Sequence, residues 1–311
     1  MTLHGPRSQL LTAREVPLGG VRAMNVRRVL PHREVPTIGA WCFLDRFGPD
    51  DVRMRVEPHP HIGLQTVTWP LVGEVRHRDT VGSDVVLRRG QLNLMTAGNG
   101  VAHSEYSVGD GPVPLDALQL WVALPASART GAAGFEHHAA LPGLTLPAED
   151  GPDAEVTVVL GEYEGIRSPA TAFTPIVGAE IRLGPGTRVS LPLRIGWEHG
   201  IMLVEGDAHA AAVELPVGDV LFLGDSRDNA EVYSEDGALL FLLGGEPFPD
   251  DLVMWWNFAA GTHEEIVRAR EDWESAEAAA ARFGHVVGHG DERIPAPPIP
   301  PVRLQPRHRK P

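Results

Sequence analysis

The stretch "EPHPHIGLQTVTW" carries His59 and His61 on either side of Pro60, and forty-two residues beyond His61 the stretch "TAGNGVAHSEYS" carries His103 and Glu105 with the same one-residue gap. In an extended strand alternate side chains face one way, so each pair projects two donor groups from a single face, whereas helical spacing would separate them. Pro60 favours extended backbone, and its missing N–H costs little at an edge or a bulge. Two adjacent strands can therefore gather three imidazoles and one carboxylate around one centre. Imidazole and carboxylate suit Fe(II), Mn, Ni, Cu or Zn, and a donor set without thiolate excludes a sulfur-rich structural site. Four protein donors leave two positions of an octahedral ion open, which allows catalysis or sensing. The plainer reading makes His59 and His61 loop histidines and His103 a hydrogen-bonded residue of a polar core.

Short strands must position these residues. The chain has 311 residues, with 34 Gly and 28 Pro, a density of helix breakers that points to strands and turns. From 64 to 124 the runs "LQTVTWPLVG", "EVRHRDTVG", "SDVVLRRG", "QLNLMTAG", "VAHSEYSVG" and "LDALQLWVAL" repeat at the spacing of a closed or sandwiched antiparallel fold. An earlier run, "GGVRAMNVRRVLP", alternates only in part, while residues 131 to 155 have no clear period and read as a linker. The rhythm resumes in "VTVVLGEYEG", "IMLVEGDAHAAAVELPVGDVLFLG" and "ALLFLLGGEP", which suggests a second β domain, either a duplicate of the first or unrelated to it. One long helix is predicted in "GTHEEIVRAREDWESAEAAAARFG", with Thr262 as N-cap, Glu265 at the reciprocal capping position, Gly284 as the stop, and Ile266, Ala269 and Trp273 on its apolar stripe. The final "IPAPPIPPVRLQPRHRKP" is Pro-rich and basic and reads as a disordered tail. The expected domains are 1–135, 136–290 and the tail 291–311.

Charge and cysteine use narrow the partners. With 27 Lys plus Arg against 41 Asp plus Glu, the net charge of −14 opposes non-specific wrapping of nucleic acid. The single Cys42 cannot form an intrachain disulfide, and the chain shows neither a secretory leader nor an apolar run long enough to cross a membrane, so a cytoplasmic setting is expected.

"FLDRFGP", "PHPHIGLQTVTW", "LVGEV" and "QLNLMTAGNGVAHSE", followed by "LLGGEP" and "MWWNFAAGTHEEIVRAREDW", together resemble the pirins, a branch of the cupin superfamily, over residues 20 to 285. The resemblance implies an all-β bicupin of two double-stranded β-helix (jelly-roll) barrels with a C-terminal α-helix. It also implies one metal, usually iron, held in the first barrel by the residues matching the family's ligands: His59, His61, His103 and Glu105. Where pirins usually read "HPHRGFET", this chain reads "HPHIGLQT". Gln65 cannot supply a carboxylate's charge, and Ile62 removes a cation expected near the entrance. In the second half Glu198, His199 and His209 form no H-x-H pair, so one metal per chain is expected; the adjacent His137 and His138 are poor co-ligands.

Family members are described both as quercetin 2,3-dioxygenase-like enzymes and as regulatory binding proteins, and both readings stay open. In the first, a flavonol's 3-hydroxyl binds the metal as its anion, dioxygen adds to the activated ring, and Glu105 serves as ligand and base together. The partners are then a small aromatic substrate and O2. In the second, a metal-dependent protein binds a regulatory partner without catalysis. Trp69, Met95, Tyr106, Leu44 and Phe47 either line the site or belong to the ordinary core.

Overall fold

A computed structural model of the chain describes residues 8–17 and 24–307. The end of the Pro-rich tail, 308–311, and residues 19–23 of the first alternating run lie outside the described residues. The chain divides into two units that interleave along the sequence, one taking 1–14, 27–42 and 140–248, the other 15–26, 43–139 and 249–311.

In the second of these units a seven-stranded sheet contains, in order, Gly134–His138, Leu92–Thr96, Leu64–Val72, Val113–Ala123 and Trp41–Val52. A four-stranded sheet is ordered Arg55–His61, Val101–Ser107, Val75–Asp79 and Asp84–Leu87, antiparallel throughout. The chain leaves the small sheet for the large one at Gly63, where φ is +68° and a Cβ would lie 2.0 Å from the Ala259 carbonyl oxygen. Only glycine makes this turn without strain. Phe47, Met54, Val75, Leu115 and Ala117 fill one core cluster, so Phe47 belongs to the packing. Leu44, Trp69 and Met95 are likewise fully buried.

The other unit has an eight-stranded sheet, including Ile176–Leu183, Ala238–Gly245, Glu198–Gly206 and Val220–Gly224, and a four-stranded sheet that includes Arg188–Pro192 and Asn229–Tyr233. Its core runs through Val158, Ile181, Leu203, Leu221 and Leu240. Gln9–Leu11 joins this unit as a strand antiparallel to Val220–Gly224.

The expected closed barrels are not what forms. Each unit is built on a large and a small sheet that stay separate, the second unit adding the two-stranded sheet of Val253–Trp255 and Phe258–Ala260, and each sheet keeps two edges, such as Arg55–His61 and Asp84–Leu87 in the small sheet of the second unit. A closed barrel has no edge strand. The ladder changes register at His103/Glu105 and at Asp116/Ala117, and the strands change sheets at left-handed glycines, so hydrogen bonding ends at the sheet margins instead of continuing around.

The expected single helix is two, α1 (His263–Glu274) and α2 (Ala276–Arg282). Thr262 caps α1, with both arms of the reciprocal box to Glu265 formed. The run then breaks at Ser275, whose backbone is extended and whose hydroxyl accepts from the Ala278 N–H to start α2. Ile266, Ala269 and Trp273 pack with Ile62, Ala102 and Phe258, so Ile62 is buried in the packing beneath the helices. Residues 291–307 run as coil, with Ile294 N–H donating to the Pro58 carbonyl at 2.8 Å and Trp273 Nε1–H to the Ile294 carbonyl at 2.9 Å. The stretch read as a linker contains two strands, Gly134–His138 and Gly143–Leu146. Cys42 is buried, which pushes its thiol up to about 12. Among the described residues no helix is long and apolar enough to cross a membrane.

Candidate metal centre

The Val101–Ser107 strand lies between Arg55–His61 and Val75–Asp79 and pairs with both, setting His103 opposite His59 on one side and Asp79 on the other. Alternation then turns His59 and His61, and beside them His103 and Glu105, toward one buried space. The ring centroids of His59 and His103 are 4.4 Å apart, and those of His61 lie 5.0 Å from each. One donor nitrogen from each of the three rings falls within 4.8 Å of the other two. Glu105 shares a second such group with His103 and with a residue that sequence reasoning did not single out, His77.

Hydrogen bonds fix which nitrogen of each ring faces the centre. A carbonyl oxygen can only accept, so His59 Nδ1–H donates to the Glu57 carbonyl at 2.9 Å, and His61 Nδ1–H to that of Asn257 at 3.0 Å. Each ring keeps a lone pair on Nε2. His61 Nε2 faces His103 Nε2 across 3.1 Å, while His103 Nδ1 lies 3.3 Å from His77 Nδ1. Thr68 Oγ1–H donates to Glu105 Oε1 at 3.1 Å. Trp121 meets His61 edge-on at 5.2 Å and stacks on Phe43 at 3.9 Å, forming an apolar wall beside the ring.

The electrostatics favour neutral nitrogen donors. Burial, opposed by the Glu57 carbonyl, lowers His59 from its usual 6.5 to about 4. His61 and His103 lie well below the imidazole range for the same first reason, reinforced by the neighbouring rings. Burial raises the Glu105 carboxyl above its ordinary value, opposed by His77 and Thr68. Buried imidazoles held neutral, with lone pairs facing one another and a carboxylate alongside, are a donor set that fits a divalent transition-metal ion.

Other expected residues fall elsewhere. Gln65 is buried and donates from Nε2 to Thr96 Oγ1 at 3.0 Å. His137 and His138 sit on the Gly134–His138 strand, bonded to Asn93 Oδ1 and to Glu136 Oε2. Tyr106 turns to the opposite face from His103 and Glu105, where its hydroxyl donates to Glu57 Oε2 and lies 3.3 Å from His289 Nδ1. His199 is buried beside Trp197 in the other unit, and among the described residues it joins no cluster of donors.

Residues 22–122 match the pirin family model, and residues 178–279 match the model for the pirin C-terminal cupin domain. A Pseudomonas aeruginosa protein carrying a provisional quercetin 2,3-dioxygenase name is 40% identical over 301 residues, spanning 96% of this chain and 92% of its own length. A pirin-like protein of Caulobacter vibrioides is 31% identical over 85% of this chain and 91% of its own. The crystal structure of a quercetin 2,3-dioxygenase from Acinetobacter baumannii superposes with a TM-score of 0.87 at 37% identity, covering 96% of this chain and 97% of that one.

Proposed function

The chain belongs to the pirin family, and on that premise we propose that it is a quercetin 2,3-dioxygenase-type enzyme. It would use Fe(II) to cleave a flavonol or a related aromatic enol with O2, at a centre held by His59, His61, His103 and Glu105. The observation that carries this reading is the convergence of three neutral imidazoles, two of them locked by carbonyl acceptors into the form that leaves Nε2 free. Similarity over nearly the whole chain to the Acinetobacter enzyme supports the choice of substrate class.

A divalent ion bound here supplies Lewis acidity toward an enol oxygen and redox access to dioxygen. The protein does the rest. His59 and His61 are oriented by backbone carbonyls, so their rings need no reorganisation on binding. Thr68 holds Glu105 Oε1, so Oε2 would serve as metal ligand and as acceptor of the substrate's hydroxyl proton together. Trp121 and Phe43 exclude water from the His61 side.

The test is anaerobic addition of quercetin to protein loaded with Fe(II), followed by oxygen. Loss of the flavonol spectrum with release of carbon monoxide is expected, and Glu105→Gln should slow it by about 10²–10⁴-fold, the usual worth of a general base. A flat response from stoichiometrically loaded protein, with iron and with manganese, nickel and copper in turn, would refute catalysis and leave a non-enzymatic metal-binding pirin.

A further inference from the structure

His103 is the one imidazole of the three whose Nδ1 has no backbone carbonyl; it meets another imidazole, His77, at 3.3 Å. Behind His77 lies Asp79, its Oδ2 3.0 Å from His77 Nε2. Both side chains are buried, with His77 stacked on Phe135 at 4.6 Å. Asp79 is itself held, since its Oδ1 accepts from the N–H groups of Val81 at 3.0 Å and Ser83 at 2.9 Å. These contacts form a directed chain. The carboxylate can only accept, so His77 carries its proton on Nε2. With Nε2–H committed to Asp79, His77 has Nδ1 left to accept, and a His103 that holds a metal through Nε2 carries its own proton on Nδ1 and donates it there, with Nε2 on the side of His61.

We infer that Asp79 and His77 are positioning residues that set the tautomer of His103, doing for this ring through a side-chain pair what carbonyl oxygens do for His59 and His61. The inference rests on the proposed metal-holding role of His103 and extends it to two residues outside the donor set.

The relay makes an isosteric change more damaging than a disruptive one. In Asp79→Asn the amide oxygen keeps the two backbone N–H bonds, so the NH2 group must face His77 Nε2. His77 then moves its proton to Nδ1 and confronts the Nδ1–H that metal-bound His103 requires. In His77→Gln the amide can still donate to Asp79 and accept from His103, although the ring stacked on Phe135 is lost.

The test is Zn2+ affinity measured by chelator competition on the full chain, with 15N spectra of the histidine rings in the zinc-loaded protein and melting temperatures as a folding control. Asp79→Asn should weaken zinc about 10–100-fold, the usual effect of losing such an orienting partner, and move the His77 proton from Nε2 to Nδ1. His77→Gln should weaken zinc less than Asp79→Asn does, because the direction of both hydrogen bonds is preserved. Unchanged zinc affinity in Asp79→Asn, or a larger loss in His77→Gln than in Asp79→Asn, overturns the inference and leaves the pair a packing feature. Wild-type protein that binds no zinc, iron or nickel overturns the metal-holding role itself, and the inference falls with it.

Discussion

His61→Ala is the sharpest perturbation of the centre, because the ring is 1% exposed and both of its nitrogens are engaged. A four-donor metal site is worth roughly 10–16 kcal/mol of apparent binding energy, or about 3 kcal/mol per donor. At about 1.4 kcal/mol per factor of ten, losing one donor weakens binding about a hundredfold. The substitution also strands the Asn257 carbonyl and opens a gap beside Trp121, which costs about 1–3 kcal/mol with or without metal. Thermal unfolding with and without metal separates the two effects. At metal held near 100 times the wild-type dissociation constant, binding stabilises the wild type by about 2.7 kcal/mol and the variant by only about 0.4. At about 2–4 °C per kcal/mol, the metal-induced shift should fall from about 5–10 °C to about 1 °C, alongside a sharp drop in metal content by elemental analysis. Full occupancy in His61→Ala together with an undiminished shift would falsify the centre as described. His137→Ala, which removes a half-buried ring bonded to Asn93, should leave both readings unchanged.

Two further outcomes test the packing and titration around this framework. Arg46 grips Asp116 with two bonds of 2.9 and 2.7 Å between side chains only 4% and 7% exposed. Arg46→Met leaves a buried carboxylate unpaired and should cost about 3–5 kcal/mol in urea unfolding, with most of the loss recovered in Arg46→Met/Asp116→Leu. A single variant no less stable than the double would sink that account. Burial lowers His199 from 6.5 to about 4, so the unfolded chain takes up its proton first as pH falls. Stability from this residue is complete above pH 6.5, declines between 6.5 and about 4 by up to about 3 kcal/mol, and changes no further below. His199→Gln should flatten that slope and leave metal content untouched; an unchanged pH profile counts against the burial argument.

The elements whose signals are local were readable from the residues. The i, i+2 histidines, the Thr262–Glu265 box and the glycine-closed runs all depend on a few neighbouring side chains, and they form as expected. Closure was not readable, because whether a sheet's last strand bonds back to its first is a property of distant backbones that strand length and spacing leave open. Gln9–Leu11 pairing with Val220–Gly224 is a contact of the same long-range kind. Gly134–His138 was hidden for a different reason: both faces of this strand are only half-buried, so it lacks the apolar alternation that betrays a strand. The break at Ser275 needed one serine to act as a helix end when its neighbours all favour helix.

Within the candidate site the unread residues follow the same rule as the read ones. "VRHRD" places His77 and Asp79 two apart on a strand, as "HPH" and "HSE" place their pairs, but its flanking arginines give it the look of a solvated charged ribbon. Only the strand order, with Val101–Ser107 between Arg55–His61 and Val75–Asp79, brings the third pair beside the second. Its presence has a physical reason. A buried imidazole that faces a metal through one nitrogen must satisfy the other, at a cost of about 1–3 kcal/mol if it does not. His59 and His61 lie on an edge strand, with the carbonyls of Glu57 and Asn257 in reach. His103 lies on an inner strand, whose own carbonyls are spent on the ladder to both neighbours. An inner-strand donor therefore has to find its acceptor in a side chain of the next strand. His77, backed by Asp79, is the group that meets this need without adding an unpaired charge to the core.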